Sequence, residues 1–399
     1  MDAPQLIRTL VGFDTISRDS NLPLIEFVEN YLDDQGIRSR RVPSPDGAKS
    51  NLVASVGPER AGGVILSGHT DVVPVDGQDW GTDPFGVVQA EGRLYGRGTC
   101  DMKGFIGIAL ALVPQMKTLR RPLHFALSYD EEVGCLGAPA MIETITAELP
   151  APAAVIVGEP TSMAAVTGHK GIVALRTVVR GYETHSSQTQ RGVSAVMTAA
   201  RLVGYLGGMA EQLAADTEPG NGFEPHHSTV HVGIADTEPG NGFEPHHSTV
   251  HVGIIQGGTA LNIISRDCEF VWDIRNIPPD DPQVLVDQFE QYCRDEVLPE
   301  MRRRHPDCSI TTELLAQAPA FGMSDSPALA LVQSLTGQSN TGQVSYAAEA
   351  GLFQAAGLPV VLCGPGSIDQ AHQPNEYISL SQVAAGEAFL RDLIGQLSA

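Results

Sequence analysis

Histidines and carboxylates recur in five short settings: His69 and Asp71 in "SGHTDVVP", Asp101 in "YGRGTCDMKG", Glu131 and Glu132 in "YDEEVG", Glu159 in "GEP", and His372 in "AHQPNE". Imidazole nitrogens and carboxylate oxygens together form a mixed ligand set, which suits zinc, cobalt or manganese rather than calcium. So many acids in one crevice would repel one another unless cations neutralised them. Two divalent ions about 3.5–4 Å apart, sharing a bridging carboxylate and an activated water, would do so. Adjacent Glu131 and Glu132 project in different directions, so one can ligate while the other stays free as a base; the spacing does not say which. Taken singly, each of these groups is more often a solvated loop residue or a hydrogen-bonded core group. Their conjunction is what points to a metal centre.

Such groups meet only if the elements that carry them align their ends. The runs "GGVILSGHTD", "LHFALSYDEE", "AAVIVGEP" and "LPVVLCGPG" each have a few buried-strand residues ending in Gly and, mostly, charge. That is the form of parallel strands in an α/β sheet, whose carboxyl ends carry the chemistry. Helical patterns cover residues 2–15, 22–35 and 103–115. From about Gly171 the pattern changes to long alternating strands, "GIVALRTVVRGY" and "DCEFVWDIR", with helical patterns over 192–213 and 281–297. This is α+β and half-exposed. Near Gln317 the first pattern returns. The expected fold is therefore α/β: a discontinuous catalytic domain (1–170 and 317–399) with a mostly parallel central sheet flanked by helices. An α+β lid domain (171–316) with an antiparallel sheet is inserted into it.

The length of 399 residues suits two domains, and 42% apolar with 18% charged residues is ordinary for a globular chain. A net charge of −22 makes nucleic acid or an anionic membrane a poor partner. The six cysteines are scattered without paired spacing, as in a reducing compartment. The N-terminal "MDAPQLIRTLVGFD" lacks a signal-peptide pattern, and "FIGIALALVP" is far too short for a membrane span. The expectation is a cytoplasmic protein without a membrane partner.

Over nearly the whole chain, "SGHTDVVPVDGQDW", "DPF", "GRLYGRGTCDMKGF", "DEEVGCLGA", "GEPT", "THSS", "GGTALNII" and "CGPGSIDQAHQPNEY" follow one family's order. The chain resembles the acetylornithine deacetylase branch of the dinuclear zinc amidohydrolases, a family that includes succinyl-diaminopimelate desuccinylase, aminoacylases and glutamate carboxypeptidases. The resemblance implies two divalent ions, Zn2+ or Co2+. His69 and His372 would hold one each, Asp101 would bridge, Glu132 and Glu159 would complete the ligands, and the peptide after Asp101 would be cis. Glu131 would be the general base, and Asp71 would orient His69. His185 in "ETHSSQ" would donate to the oxyanion, from the partner subunit in dimeric relatives. Asn262 and Arg275 would bind the substrate's polar groups and α-carboxylate, and Glu349 would be a contact for a cationic or urea-like side chain. The implied reaction is hydrolysis of an N-acetyl amino acid, N-acetyl-L-ornithine foremost, in arginine biosynthesis, by a homodimer joined through the lid. The metal site is shared across such enzymes, so another N-acyl amino acid or a dipeptide remains an alternative substrate. A metal-binding protein without turnover is the rival from another class.

One segment departs from the family: "ADTEPGNGFEPHHSTVHVGI" occupies both 215–234 and 235–254, and holds six of the twelve histidines. Two copies are too few for a solenoid. On a strand His246 and His247 face opposite sides, and His247 and His251 would stand about 13 Å apart, too far to chelate one ion. The family needs one copy. The expectation is that the second keeps the native strand beside "IQGGTALN" and the first forms an extra loop or edge hairpin; the opposite assignment stays open.

Overall fold

The strands within the runs expected to be parallel are buried at every position, which is what a sheet covered on both faces requires. In the computed structural model, which describes residues 1–215, 229–230, 248–323 and 325–399, strands Leu123–Ser128, Val64–His69, Ala154–Val157 and Val360–Leu362 lie side by side and parallel. Antiparallel strands flank them: Ser50–Val56 and then Ser39–Pro43 on one side, Ala165–His169 on the other. Register aligns the carboxyl ends, with His69 opposite Ser128 and Ser67 opposite Val157. The segments that leave these ends are therefore neighbours, however far apart they lie in sequence.

Helices Ala3–Val11, Leu22–Asp33, Lys103–Ala111, Ala138–Glu148, Pro327–Thr336 and Leu380–Ser398 accompany this sheet. Leu6, Ile7, Leu10, Phe105, Ile108, Leu390 and Leu393 from three of them share one apolar core with strand residues Leu66, Phe125 and Ile156. The helix at Lys103–Ala111 is apolar nearly all round and almost wholly buried, as expected of a helix enclosed by its neighbours. A separate three-stranded antiparallel sheet joins Val88–Ala90, Arg93–Tyr95 and Tyr377–Ser379.

The chain divides into two compact units: residues 1–168 with 323–342 and 348–399, and residues 169–322 with 343–347. The second is built on strands Ile172–Arg180, Thr249–Gly257, Asp267–Arg275 and Ser309–Ala318, all antiparallel. Burial alternates along Ile172–Arg180 and Asp267–Arg275, the period-two signature of a sheet with one covered face. Helices Ala195–Ala215 and Pro282–Tyr292 supply that cover: Leu202, Leu206 and Phe289 pack with Leu175, Phe270 and Trp272. The second helix starts at a proline behind Asp281, whose carboxylate accepts from the Gln283 N–H.

The strand that runs into "IQGGTALN" is Thr249–Gly257, from the second copy of the duplicated segment. From the first copy, Thr229–Val230 pairs with Thr249–Val250 in parallel, an arrangement no hairpin makes. The remainder of the expected loop, residues 216–228 and 231–247, lies outside the described residues. Deleting residues 215–234 removes only this two-residue pairing from the described sheet. The shortened protein should keep its far-ultraviolet circular dichroism and melt within about 4 °C of the full chain, the scale of ~1 kcal/mol in a unit of this size; loss of cooperative melting would show that the first copy supports the fold.

Candidate metal centre

Parallel strands, the loops beyond them and one loop from another sheet bring five of these groups together. His69 ends strand Val64–His69, and its side chain is 1% exposed. Its Nε2 lies 2.9 Å from Asp101 Oδ1, while Asp101 Oδ2 lies 3.3 Å from His372 Nε2. The same His372 nitrogen is 2.9 Å from Glu132 Oε2. One carboxylate thus sits between two imidazoles, and ligand atoms of His69, Asp101 and Glu132 all fall within 4.8 Å of one another. Glu159, two residues beyond strand Ala154–Val157, is buried and acts on Asp101, His69 and Glu132 through its charge. Asp101 departs from the expected pattern: it comes from the loop between Arg93–Tyr95 and the helix at Lys103, not from an end of the central sheet. Its peptide bond to Met102 is cis, as the resemblance implies.

Asp71 acts differently from the expectation. His69 Nδ1 is 2.9 Å from the Asp71 main-chain oxygen and 3.7 Å from its carboxylate, so the main chain fixes the ring. The carboxylate instead accepts from Ser17 Oγ at 2.7 Å and from the main-chain N–H groups of Glu131 at 3.1 Å and Glu132 at 3.3 Å. It anchors the turn that carries both glutamates. Their side chains diverge from there: Glu132 reaches His372, and Glu131 Oε1 lies 3.5 Å from Cys135 Sγ.

The electrostatics call for positive charge. Burial pushes the carboxyls of Glu131 and Glu159 well above the ordinary range and raises Glu132, and neighbouring acids add to each shift. Burial opposes protonation of His69, but its hydrogen bond and charge interaction with Asp101 outweigh that and raise it well above the ordinary value. Hydrogen bonds that its ring donates to Asp101 and Glu132 lift His372 to about 10. Among the described residues, Glu132 Oε1 and Glu159 Oε1 are buried without a hydrogen-bond partner, each a costly state for a carboxylate oxygen in a folded protein. Two imidazoles, acids on both sides and orphaned oxygens fit divalent cations.

The remaining candidates fall in different places. Glu349, buried at the start of helix Ala350–Ala355, accepts from Ser67 Oγ at 2.9 Å and belongs to the first unit. His185, Asn262 and Arg275 belong to the second. His185 pairs with Ile263, and the Ser186 N–H donates to the Asn262 main-chain oxygen at 2.9 Å, so these two candidates are neighbours. Arg275 Nε is paired with Asp273 at 2.8 Å. Sequence reasoning left Ser17, Ser67, Ser187 and Glu376 without roles. Glu376 was within reach, since it stands in the same "AHQPNE" as His372; the serines act through hydrogen bonds that leave no spacing pattern.

The sequence pattern of Peptidase family M20/M25/M40 matches residues 65–396. An acetylornithine deacetylase of Myxococcus xanthus is 34% identical over 392 residues, 96% of this chain and 93% of that protein. One from Pasteurella multocida is 31% identical over 392 residues, 97% of this chain and 94% of that protein. A metallo-carboxypeptidase of the M20 family from Sulfolobus solfataricus has the same fold, with a TM-score of 0.76 at 18% identity and all of both chains covered.

A ligating imidazole must give up its proton at the binding nitrogen, so if His372, raised to about 10 by Asp101 and Glu132, is a ligand, metal uptake would expel a proton from it. Affinity for Zn2+ or Co2+ should rise with pH through the neutral range. Calorimetric titrations near pH 7 should give enthalpies that differ between buffers in proportion to their ionisation enthalpies; identical enthalpies in all buffers would mean that metal uptake expels no proton from the cluster.

Proposed function

This chain belongs to Peptidase family M20/M25/M40 and is a metallo-hydrolase, and we propose that it hydrolyses the acyl amide of an N-acyl amino acid, N-acetyl-L-ornithine first, to release ornithine and acetate. The observation that carries this reading is the pair of imidazoles sharing Asp101, set among buried acids with orphaned oxygens. Acetylornithine deacetylases at 31% and 34% identity support the substrate. His69, Asp101, Glu132, Glu159 and His372 would hold two divalent cations, Zn2+ or Co2+. When bound, the ions would supply Lewis acidity and make water acidic enough to lose a proton near neutrality.

Glu131 is the base in this scheme. Glu132 is engaged by His372, whereas Glu131 is free of that contact and its high proton affinity suits a group that takes a proton from water and returns it to the leaving amine. Asp71 holds the Glu131 main chain in place. His185 would donate to the oxyanion that forms at the acyl carbon. Its Nδ1 accepts from the Ser187 N–H at 3.2 Å and pairs with Ser187 Oγ at 2.7 Å, so the neutral ring carries its proton on Nε2, as a donor must. Asn262 and Arg275 would bind the substrate's polar groups and carboxylate; Arg275 already spends one nitrogen on Asp273. Glu349, buried against Ser67, fits support of the acid cluster better than direct contact with substrate.

The same reading makes the protein a cytoplasmic enzyme of arginine biosynthesis and a homodimer. Ile254 and Ile255, each 52% exposed on the strand Thr249–Gly257, with the fully exposed Leu261, offer apolar surface for the second copy.

Two assays test the reading. Offered acetylornithine, acetylcitrulline, acetylmethionine, succinyl-diaminopimelate and a dipeptide, the metal-loaded enzyme should prefer acetylornithine; no such preference would sink the narrower claim. Glu131→Gln should bind metal normally and lose on the order of 10²–10⁴-fold in kcat, and substantial remaining turnover would show that another group is the base.

A further inference from the structure

Glu376 binds the loop that delivers Asp101. Its Oε1 accepts from three main-chain N–H groups around that loop: Gly98 at 3.0 Å, Cys100 at 2.9 Å and Asp101 itself at 3.1 Å, while the Thr99 N–H between them turns to the Gly96 oxygen. Main-chain N–H groups converging on one point form a concave anion site. Gly98 has a φ of +84°, a conformation that favours glycine, and it begins the curl. The second oxygen, Oε2, accepts from Arg97 Nη1 at 2.5 Å, and the two side chains are 0% and 1% exposed.

The network continues to the other imidazole. Arg97 Nη2 donates to Gln78 Oε1 at 2.6 Å, and Gln78 Nε2 donates to the main-chain oxygen of His372 at 2.9 Å. Trp80 Nε1 also donates to Gln78 Oε1, at 3.0 Å, and its ring lies 5.2 Å from the Arg97 guanidinium carbon. The main chain reinforces the connection, since the Gly96 N–H donates to the Glu376 oxygen at 2.9 Å. A continuous chain of hydrogen bonds therefore runs from the Asp101 main chain through Glu376, Arg97 and Gln78 to the His372 main chain. Asp101 and His372 are also the residues whose side chains meet at 3.3 Å.

We propose that Glu376 is a positioning residue of the metal centre: through Arg97 and Gln78 it sets the Asp101 carboxylate against the His372 imidazole at the separation that divalent cations require. The assignment rests on the metal reading above. Glu376 is not itself a ligand here, because both of its oxygens are taken by protein donors. The competing explanation is a buried ion pair that only stabilises the fold, which would lower the melting temperature without altering how ions are held.

The experiment compares wild type, Glu376→Gln and Gln78→Ala, each stripped of metal and titrated with Co2+. Glutamine keeps an oxygen for the three N–H groups but sets an NH2 against Arg97. Gln78→Ala cuts the network at its partly exposed end and leaves the Arg97–Glu376 pair intact. Calorimetry gives stoichiometry and affinity, the visible absorption of bound Co2+ reports coordination geometry, and melting of the metal-free proteins reports the fold. Wild type should take up two Co2+. Glu376→Gln should bind about 10–100-fold more weakly with an altered Co2+ spectrum, the scale seen when partners behind metal ligands are removed. Gln78→Ala should shift both readouts in the same direction by less, and it decides the matter alone if Glu376→Gln does not fold. Unchanged affinity and spectrum in the folded variants would overturn the assignment, whatever happens to melting. A wild type that takes up no Co2+ would overturn the metal reading, and the role of Glu376 with it.

Discussion

Asp101, Glu131, Glu132 and Glu159 are brought by one fold to one buried place, and the free energy of holding so much negative charge out of water governs the rest of the structure. Two imidazoles cannot neutralise it alone: each is drawn to hold a proton, and two carboxylate oxygens still lack partners. Divalent cations resolve the conflict with the fewest charges. The cluster is thus better described as a site prepared for cations than as a network complete in itself.

Holding repelling groups together falls to the scaffold. Parallel strands bring His69, the Glu131–Glu132 turn and Glu159 alongside one another by register. Loops are then tied down by carboxylates that face the main chain rather than the crevice. Asp71 takes the N–H groups of both glutamates, and Glu376 takes those around Asp101. Each anchoring acid is paid in hydrogen bonds, which is how a buried carboxylate persists without a cation of its own. The second unit has a half-covered sheet, and its His185 lies against Ser187. The two units have separate apolar cores, and the pairing of Thr229–Val230 belongs to the second.

Much of this was legible in the sequence because strands advertise themselves by composition and strand ends by the residues that follow. "VILSGH", "LHFALS" and "AVIV" read as buried strands, and the acids and histidine after them read as one site. Asp101 lies beside His69 and Glu132, yet its loop leaves a different sheet, which short strands of three residues do not announce. The role of the Asp71 carboxylate was hidden for another reason: spacing shows that an acid lies near His69 but not whether it bonds to the ring or to a main chain sixty residues on. The doubled segment was legible as a duplication and not as a pairing, because identical strands compete for one slot and only the fold selects between them.

The central claim is that the imidazole–carboxylate cluster holds a pair of cations around Asp101. Anomalous diffraction from crystals of zinc-loaded protein, recorded on either side of the zinc absorption edge, tests it most directly. The account predicts two peaks about 3.5–4 Å apart, both in contact with Asp101, one also with His69 and the other with His372. Absence of zinc from the cluster, or peaks that avoid Asp101, would contradict it.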